Sequence, residues 1–165
     1  DAHMDLRKAY EGFTWSHASI MYNALEMPQV TRLAQVGVRD FSQQESSYAN
    51  DEFRIQTFSG RRLARERFLG MPWQETCAQI VGGLPQKVYI SFDIDGLNPG
   101  LCPHTGTPVP GGLDFEQAMY LLEAVKDSGR EIIGADLVEV APGPEGDDWD
   151  ANVGARIVYG MCALL

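Results

Sequence analysis

The sequence predicts an α/β protein in which helices cover a mainly parallel sheet. Short extended segments alternate along the chain with segments whose apolar residues have helical spacing. Residues 87–92 are apolar at nearly every position, which is typical of a parallel strand that is buried on both faces. A chain of 165 residues is long enough to bury a sizeable core, and its length fits a single domain.

The individual elements follow from local signals. Ser16 can cap a helix that ends before Pro28, Pro72 can start another, and Asp114 opens a third helix that Gly129 ends. Residues 42–51 are polar and predict either a loop or a short helix, and the stretch 96–112 is a loop rich in Pro and Gly. We therefore expect strands at 33–38, 54–58, 87–92 and 131–140, and helices at 17–26, from 72 onward, at 114–126 and at 152–165.

Composition and charge exclude several classes of partner. The chain has a net charge of −10, which disfavours binding to nucleic acid or to an anionic membrane surface and favours a cationic small molecule. It contains no run of about 18 apolar residues and no basic, apolar leader, so we expect a cytoplasmic protein. The run Arg61, Arg62, Arg65 and Arg67 has helical spacing and is interpreted as a solvated helix face.

Three cysteines, Cys77, Cys102 and Cys162, are widely spaced and form no Cys-x-x-Cys pair. This spacing favours neither a zinc clip nor a redox pair. We interpret each thiol as a small buried apolar side chain in a reducing compartment.

Potential metal ligands occur in two short strings. Asp1, His3 and Asp5 alternate in the first string, and Asp93 and Asp95 alternate directly after the strand predicted at 87–92. Because alternate residues of an extended segment project to the same side, the first three can converge and the last two can meet them.

Such a cluster requires cations. Four carboxylates packed in a pocket of low dielectric would repel one another, whereas two divalent cations would cancel their formal charge of about −4. Carboxylate oxygens with a minority of imidazole suit Mn²⁺ better than zinc, although ligand type alone leaves Co²⁺, Fe²⁺, Ni²⁺ and Zn²⁺ open.

The first string and three longer motifs, the first of which contains the second string, resemble the ureohydrolases, the family of arginase, agmatinase and formimidoylglutamase. The motifs are Ser91-Phe-Asp93-Ile-Asp95-Gly-Leu-Asn98-Pro99, Thr105-Gly-Thr107-Pro108-Val-Pro-Gly111-Gly112 and Gly134-Ala-Asp136-Leu-Val-Glu139-Val-Ala-Pro142. The resemblance covers essentially the entire chain. It implies a three-layer αβα sandwich of the arginase/deacetylase type with a mainly parallel sheet, and two Mn²⁺ ions per complete active site.

The resemblance also implies a role for each matching residue. Asp1 and Asp93 would bridge the two metal ions, Asp5 would bind one of them, and His3 and Asp95 would bind the other. A hydroxide that bridges the metals would attack the guanidinium carbon. The remaining positions are His17 as proton shuttle, Glu139 as partner of the substrate guanidinium, Thr107 as a neighbour of the reacting group and Asp136 as support for the metal site.

The match is incomplete at some positions. Asn98 stands where the family usually has Asp, which removes one charge from the supporting loop. Thr107 can equally be a residue whose hydroxyl stabilises a turn, and His104 lies in the same loop outside the matched positions, where we expect a rim residue. The family's N-terminal Gly-Gly-Asp-His motif does not occur here. We therefore expect residues 1–165 to be the C-terminal portion of a single ureohydrolase domain whose N-terminal strands are missing.

Several functions remain open. The segment from Asp5 to Gly12, followed by Ser16 and His17, resembles agmatinases most, so the favoured activity is hydrolysis of agmatine to putrescine and urea. The next alternatives are the activity of an arginase, of another guanidino-acid hydrolase or of a formimidoyl hydrolase. An alternative of another class is a truncated, non-catalytic domain that binds metal or a partner. The family resemblance further implies a homo-oligomer, a trimer or a hexamer.

Overall fold

A computed structural model describes residues 1–164. Four strands and six helices alternate along the chain, together with two short 3-10 turns, His17–Ser19 and Ile94–Gly96. In chain order the elements are α1 (Ile20–Leu25), β1 (Leu33–Val36), α2 (Gln43–Asp51), β2 (Ile55–Phe58), α3 (Gly60–Phe68), α4 (Trp73–Gly82), β3 (Lys87–Asp93), α5 (Phe115–Asp127), β4 (Glu131–Val138) and α6 (Trp149–Leu164). The predicted alternation of strands and helices is confirmed.

The strands form two parallel pairs. β1 pairs with β2, with Leu33 opposite Ile55, and β3 pairs with β4, with Asp93 opposite Val138. His3 joins Asp40 in an isolated parallel bridge just beyond the end of β1. The two predicted ligand strings therefore meet at the carboxyl ends of the strands, where loops gather in open α/β sheets.

Strand ends depend on backbone conformations that the sequence pattern did not show. β1 stops at Val36 because Gly37 has a φ of 91°, and β4 stops at Val138 because Glu139 has a φ of 63°. A left-handed residue cannot continue an extended strand. Both strands are therefore two residues shorter at their carboxyl ends than predicted.

The helix predicted at 17–26 is divided into two parts. It begins as the 3-10 turn His17–Ser19, where the Ser16 hydroxyl accepts a hydrogen bond from the Ala18 amide at 3.2 Å, and continues as α1.

The polar stretch 42–51 is a helix rather than a loop. Ser42 and Glu45 form a reciprocal capping box at its start, which satisfies amide groups that would otherwise lack partners.

The largest core cluster lies beneath the second ligand string. Ile94 and Leu97 are fully buried between α5 and α6, against a shared set of apolar side chains: Cys102, Ala118, Leu122, Val153, Ile157 and Met161. Close packing on this side gives the loop after β3 a rigid support.

The expectation that β3 is buried on both faces is not met within residues 1–164. Val88 is 8% exposed and packs on Val81 of α4 and Val125 of α5. Tyr89, on the opposite face, is 56% exposed, and Ile133 of β4 is 55% exposed. Helices α4, α5 and α6 thus cover one face of this strand pair.

The predicted environments of the cysteines and arginines are largely confirmed. Cys77 and Cys102 are buried, whereas Cys162 is exposed on α6, so the prediction was wrong for that thiol, and all three are free. In α3, Arg62 forms an ion pair with Glu66 one turn later at 2.7 Å, as expected of a solvated helix face. Among residues 1–164, every helix is too short or too polar to cross a bilayer.

Candidate metal centre

The first ligand string lies between the ends of β1 and β3. The Ala2 amide donates to Oδ1 of Asp95 at 2.9 Å, and the Arg39 amide donates to the Ala2 carbonyl at 2.7 Å. A side chain at position 96 would collide with the backbone of Asp1, so Gly96 permits this close approach. A hydrogen bond from the Ala2 backbone to the Asp95 side chain and the close approach at Gly96 thus bring together segments that are more than 90 residues apart in the sequence.

Three of the five predicted ligands converge. One potential ligand atom each of Asp1, His3 and Asp95 lies within 4.8 Å of the others. Nδ1 of His3 is 3.0 Å from Oδ2 of Asp95 and 3.6 Å from Oδ1 of Asp1. The side chains of Asp1 and His3 are partly buried, and Asp95 is 1% exposed. The predicted convergence of alternate residues therefore holds for Asp1 and His3.

Asp93 lies beside this group of three. Its Oδ1 accepts a hydrogen bond from the Asp95 amide at 2.9 Å, which caps the 3-10 turn that follows β3. Burial, with the neighbouring charge of Asp95, raises the pKa of Asp93 to about 7. This carboxylate is therefore held in place by the backbone while its negative charge lacks compensation.

Asp5 departs from the extended pattern of the first string. Its φ is 54°, in the left-handed region that a non-glycine residue rarely adopts. Burial raises the pKa of Asp5 to about 7, and the charge of Asp95 adds to the effect of burial. Asp5 thus carries a second carboxyl group that a nearby cation would stabilise in its ionised form.

Two buried polar side chains hold the backbone on either side of Asp5. The side-chain nitrogen Nε2 of Gln35 donates to the Met4 carbonyl at 2.6 Å, and Oε1 of Glu45 accepts from the Leu6 backbone amide at 3.2 Å. Gln35 is 7% exposed and Glu45 is 4% exposed. Such contacts can maintain a strained conformation, because the surrounding structure over-determines it.

The contact between His3 and Asp95 shifts the pKa of both side chains. The Asp95 carboxylate raises the pKa of His3, and burial opposes this effect. Burial also acts to raise the pKa of Asp95, but the contacts from His3 and the Ala2 amide outweigh it and hold that pKa below its ordinary value. Without a metal ion, His3 is thus the principal counter-charge of Asp95.

The residues present fit divalent cations. Oδ2 of Asp95 is buried, and the polar contact that the structure gives it among residues 1–164 is the 3.0 Å approach of Nδ1 of His3. A buried carboxylate oxygen that faces one titratable side chain is only partly stabilised, and a bound cation would add to that stabilisation. Carboxylates with one imidazole form a donor set that suits Mn²⁺ and other hard divalent ions.

Arg39, a residue that the sequence analysis did not select, connects the metal centre to the Gly-rich loop. Its guanidinium donates to a set of backbone carbonyl oxygens: Gly37, Asp95, Gly96, Leu97, Val109 and Pro110. A planar fork of five N–H donors is suited to such a task. One sequence signal could have identified Arg39. It is a single basic residue just beyond β1, and the carboxyl end of that strand faces acidic ligands.

Glu139 begins the connection between β4 and α6. Its backbone carbonyl accepts a hydrogen bond from the Thr105 hydroxyl at 2.9 Å, while its side chain is exposed. Gly106 lies beneath this carboxylate, because a Cβ at that position would be 3.7 Å from Oε2 of Glu139. The predicted residue of this loop, Thr107, is exposed, whereas Thr105 is 4% exposed. Both threonines occur in the motif Thr105–Gly112, so only the tertiary structure distinguishes the buried Thr105 from the exposed Thr107.

The other two predicted residues lie outside the close group of three. His17 is exposed, and its ring packs edge to face on Tyr10 with centroids 5.5 Å apart. Asp136 accepts a hydrogen bond from the Ser91 hydroxyl at 2.9 Å. Their roles in proton transfer and metal support stay predictions. Asn98 accepts from the Gly100 amide at 2.9 Å, so its side chain stabilises the turn after β3.

The metal-free protein is expected to be more stable at pH 5.5 than at pH 8. The pKa of Asp93 is about 7 in the folded state and 3.8 without burial, so the folded state retains a proton that the unfolded chain has lost. The stabilisation is present at low pH and is lost as pH rises through about 7, an effect of about 2 kcal/mol for this group alone. The raised pKa values of Asp5 and His3 act in the same direction, and the lowered pKa of the buried amino group of Asp1 opposes them.

Chemical denaturation in the presence of EDTA measures this dependence. An Asp93→Asn variant is the matched control, since it retains the cap acceptor, removes the titration and should flatten the profile. Saturating Mn²⁺ should reverse the order of the two pH values, because protons compete with the metal for the same oxygens. A metal-free protein that gains stability between pH 5.5 and pH 8 would contradict the assigned titrations.

The fold and the site define an α/β protein with a candidate metal centre at the carboxyl ends of parallel strands. A family model described as the Arginase family matches residues 1–163, and the chain belongs to the arginase family. The predicted resemblance is thereby confirmed.

Individual relatives agree with this assignment. The chain is 38% identical to an N(1)-aminopropylagmatine ureohydrolase of Thermus thermophilus over 99% of its length and 52% of the relative's. It is 34% identical to an agmatinase of Halalkalibacterium halodurans, over 86% of this chain and 45% of that one. The chain thus spans about half the length of the curated relatives it matches.

Solved structures confirm the predicted family fold. The agmatine ureohydrolase of Thermoplasma volcanium superposes with a TM-score of 0.82 at 26% identity, over 99% of this chain and 52% of that one. An arginase from Medicago truncatula superposes with a TM-score of 0.80 at 30% identity, over 99% of this chain and 48% of that one.

Proposed function

We propose that the protein hydrolyses the guanidino group of agmatine to give putrescine and urea, in a centre that binds two Mn²⁺ ions. The observation that carries the proposal is the convergence of Asp1, His3 and Asp95, with Oδ2 of Asp95 buried and 3.0 Å from Nδ1 of His3. Membership of the arginase family supports the reaction class. A bound pair of divalent cations would supply a hydroxide nucleophile near neutral pH.

The chain's own side chains would hold the two cations. Asp1 and Asp93 are proposed to contribute to both metal positions, Asp5 to one, and His3 with Asp95 to the other. Burial supports these assignments, because the raised pKa values of Asp5 and Asp93 reflect negative charge without compensation. The backbone contacts described above keep the carboxylates in place before any cation arrives, so little ordering is needed on binding.

Three further residues are proposed to act on the substrate. The carboxylate of Glu139 would accept two hydrogen bonds from the planar guanidinium, a pairing that fixes orientation as well as charge. Its exposed side chain above Gly106 leaves room for this contact. His17 would donate a proton to the leaving nitrogen, since imidazole is the side chain that most often serves as a general acid or base. Thr107 would lie near the reacting group.

A second candidate substrate is N(1)-aminopropylagmatine. The Thermus thermophilus relative that bears this name is 38% identical to the chain, whereas the agmatinase of Halalkalibacterium halodurans is 34% identical. Both substrates carry a guanidino group and a cationic amine tail, and both suit a protein with a net charge of −10. Their different tail lengths make them separable by kinetics.

The proposal is tested on the full-length protein that contains these residues and on the 165-residue chain in parallel. Each is stripped with EDTA and reloaded with Mn²⁺; bound metal is counted by elemental analysis, and urea release is measured. The substrate panel is agmatine, N(1)-aminopropylagmatine, arginine, guanidinobutyrate and formimidoylglutamate. We expect two Mn²⁺ per full-length chain, with the highest kcat/KM on agmatine.

Other results would redirect the assignment. A higher kcat/KM on arginine, guanidinobutyrate or formimidoylglutamate would replace agmatine while retaining the centre. A full-length protein that binds no Mn²⁺ and hydrolyses no panel member would overturn the enzymatic proposal and favour a non-catalytic binding domain. Two metals and turnover in the 165-residue chain would show that these residues alone form a complete site.

A further inference from the structure

A contact between a histidine and a buried carboxylate, outside the metal centre, connects the loop after β3 to the start of α6. Asp150 is 1% exposed, and both of its carboxylate oxygens contact His104. Oδ2 accepts from the His104 amide at 2.9 Å, and Oδ1 lies 2.9 Å from Nδ1 of the ring. Nε2 of the same ring is 3.6 Å from Asp147. The geometry assigns the donated proton to Nδ1, because an ionised carboxylate can only accept.

The connection from β4 to α6 folds around this histidine. A Cβ at Gly143 would come within 2.9 Å of the His104 ring, so the absence of a side chain there makes room for the imidazole. One residue later, Thr105 donates its hydroxyl to the Glu139 carbonyl. The dipeptide His104-Thr105 therefore contacts the connection near its beginning, its middle and its end.

Glu139 depends on these contacts for its backbone conformation. A φ of 63° is unfavourable for a residue with a side chain, and it persists only where neighbours enforce it. The hydrogen bond from Thr105 holds the Glu139 carbonyl, and the position of Thr105 is in turn held by the adjacent His104–Asp150 pair. The direction of the Glu139 side chain follows from this backbone.

We propose that His104 and Asp150 are positioning residues that set the Glu139 carboxylate for the substrate guanidinium. This inference rests on the proposed function, since it deepens the substrate contact of the same site. The pair acts through Thr105 and the backbone of Glu139, and neither member is among the proposed metal ligands. Its loss is expected to weaken substrate binding while leaving the metal content unchanged.

His104→Ala and His104→Asn test the proposal in the Mn²⁺-loaded full-length protein. We expect His104→Ala to raise KM for agmatine about tenfold with a small change in kcat, because Asp150 loses its ring donor, keeps only the backbone amide, and the loop loosens. The amide of His104→Asn can replace the Nδ1–H donor, so this variant should restore most of the affinity. Two bound Mn²⁺ in both variants would show that the fold and the metal centre are intact.

A double-mutant cycle separates positioning from a general loss of stability. If His104 acts through the Glu139 carboxylate, His104→Ala should change kcat/KM little in a Glu139→Gln background. An equal loss in both backgrounds, or an Asn variant as impaired as the Ala variant, would overturn the proposal. A wild-type protein that releases no urea from any panel member would instead refute the proposed function, which this comparison presupposes.

Discussion

Asp93→Asn is expected to abolish Mn²⁺ binding and urea release together, with a loss in kcat/KM of about 10³-fold or more. The carboxylate of Asp93 is buried, and burial together with the neighbouring charge of Asp95 raises its pKa to about 7. The amide oxygen of Asn can still accept from the Asp95 backbone, so the turn after β3 should be preserved. The variant thus removes charge with little change in shape.

Bound metal, urea release and thermal unfolding are measured on the same preparation. Asp127→Ala is the matched control, since Asp127 is an exposed acid at the end of α5. The control should keep two Mn²⁺ and full turnover. An Asp93→Asn protein that binds both metals and still produces urea would contradict the proposed bridging role, whereas one that fails to fold would show that folding requires the carboxylate itself.

Glu139→Gln is expected to lower kcat/KM for agmatine by about 100-fold while bound Mn²⁺ stays at two. The Gln side chain has nearly the same shape but is neutral and presents one oxygen and one NH₂ group, so it cannot pair two oxygens with the planar guanidinium. The carboxylate lies above Gly106, outside the close group of Asp1, His3 and Asp95. Its loss should therefore act on the substrate and not on the metals.

Metal content and steady-state kinetics distinguish two possible roles of the Glu139 carboxylate, as a metal ligand or as the partner of the substrate guanidinium. Glu123→Gln, an exposed substitution on α5, serves as the control and should be silent. Loss of a metal ion in the Glu139 variant would assign the residue to the metal centre. An unchanged kcat/KM would remove it from substrate binding, and the proposed positioning role of His104 would then lose its target.

Most of the fold could be predicted because its signals are local. The strand at Lys87–Asp93 and the helix at Phe115–Asp127 follow from apolar pattern, capping residues and a terminating glycine, all within a few positions of one another. The errors occur where conformation depends on distant contacts. Glu139 ends β4 in a left-handed conformation, and Tyr89 is exposed because the described helices pack on the other face.

The candidate site was predictable as a set of residue types but not as an arrangement. The alternation of Asp1 with His3, and of Asp93 with Asp95, identified potential ligands, since side chains two residues apart in an extended segment share a side. Alternation could not show that Asp5 turns into a left-handed conformation.

The sequence by itself determined the α/β class, the order of the strands and helices, and the presence of acidic ligand strings at predicted strand ends. Only the tertiary structure decided that Asp1, His3 and Asp95 converge, that Arg39 joins the loops around them, and that Thr105 rather than Thr107 is buried beside Glu139. The physical reason is the distance along the chain over which each kind of interaction acts. Periodicity and capping act over a few residues, whereas burial, charge pairing and backbone clamping depend on which distant segments the packed core brings together.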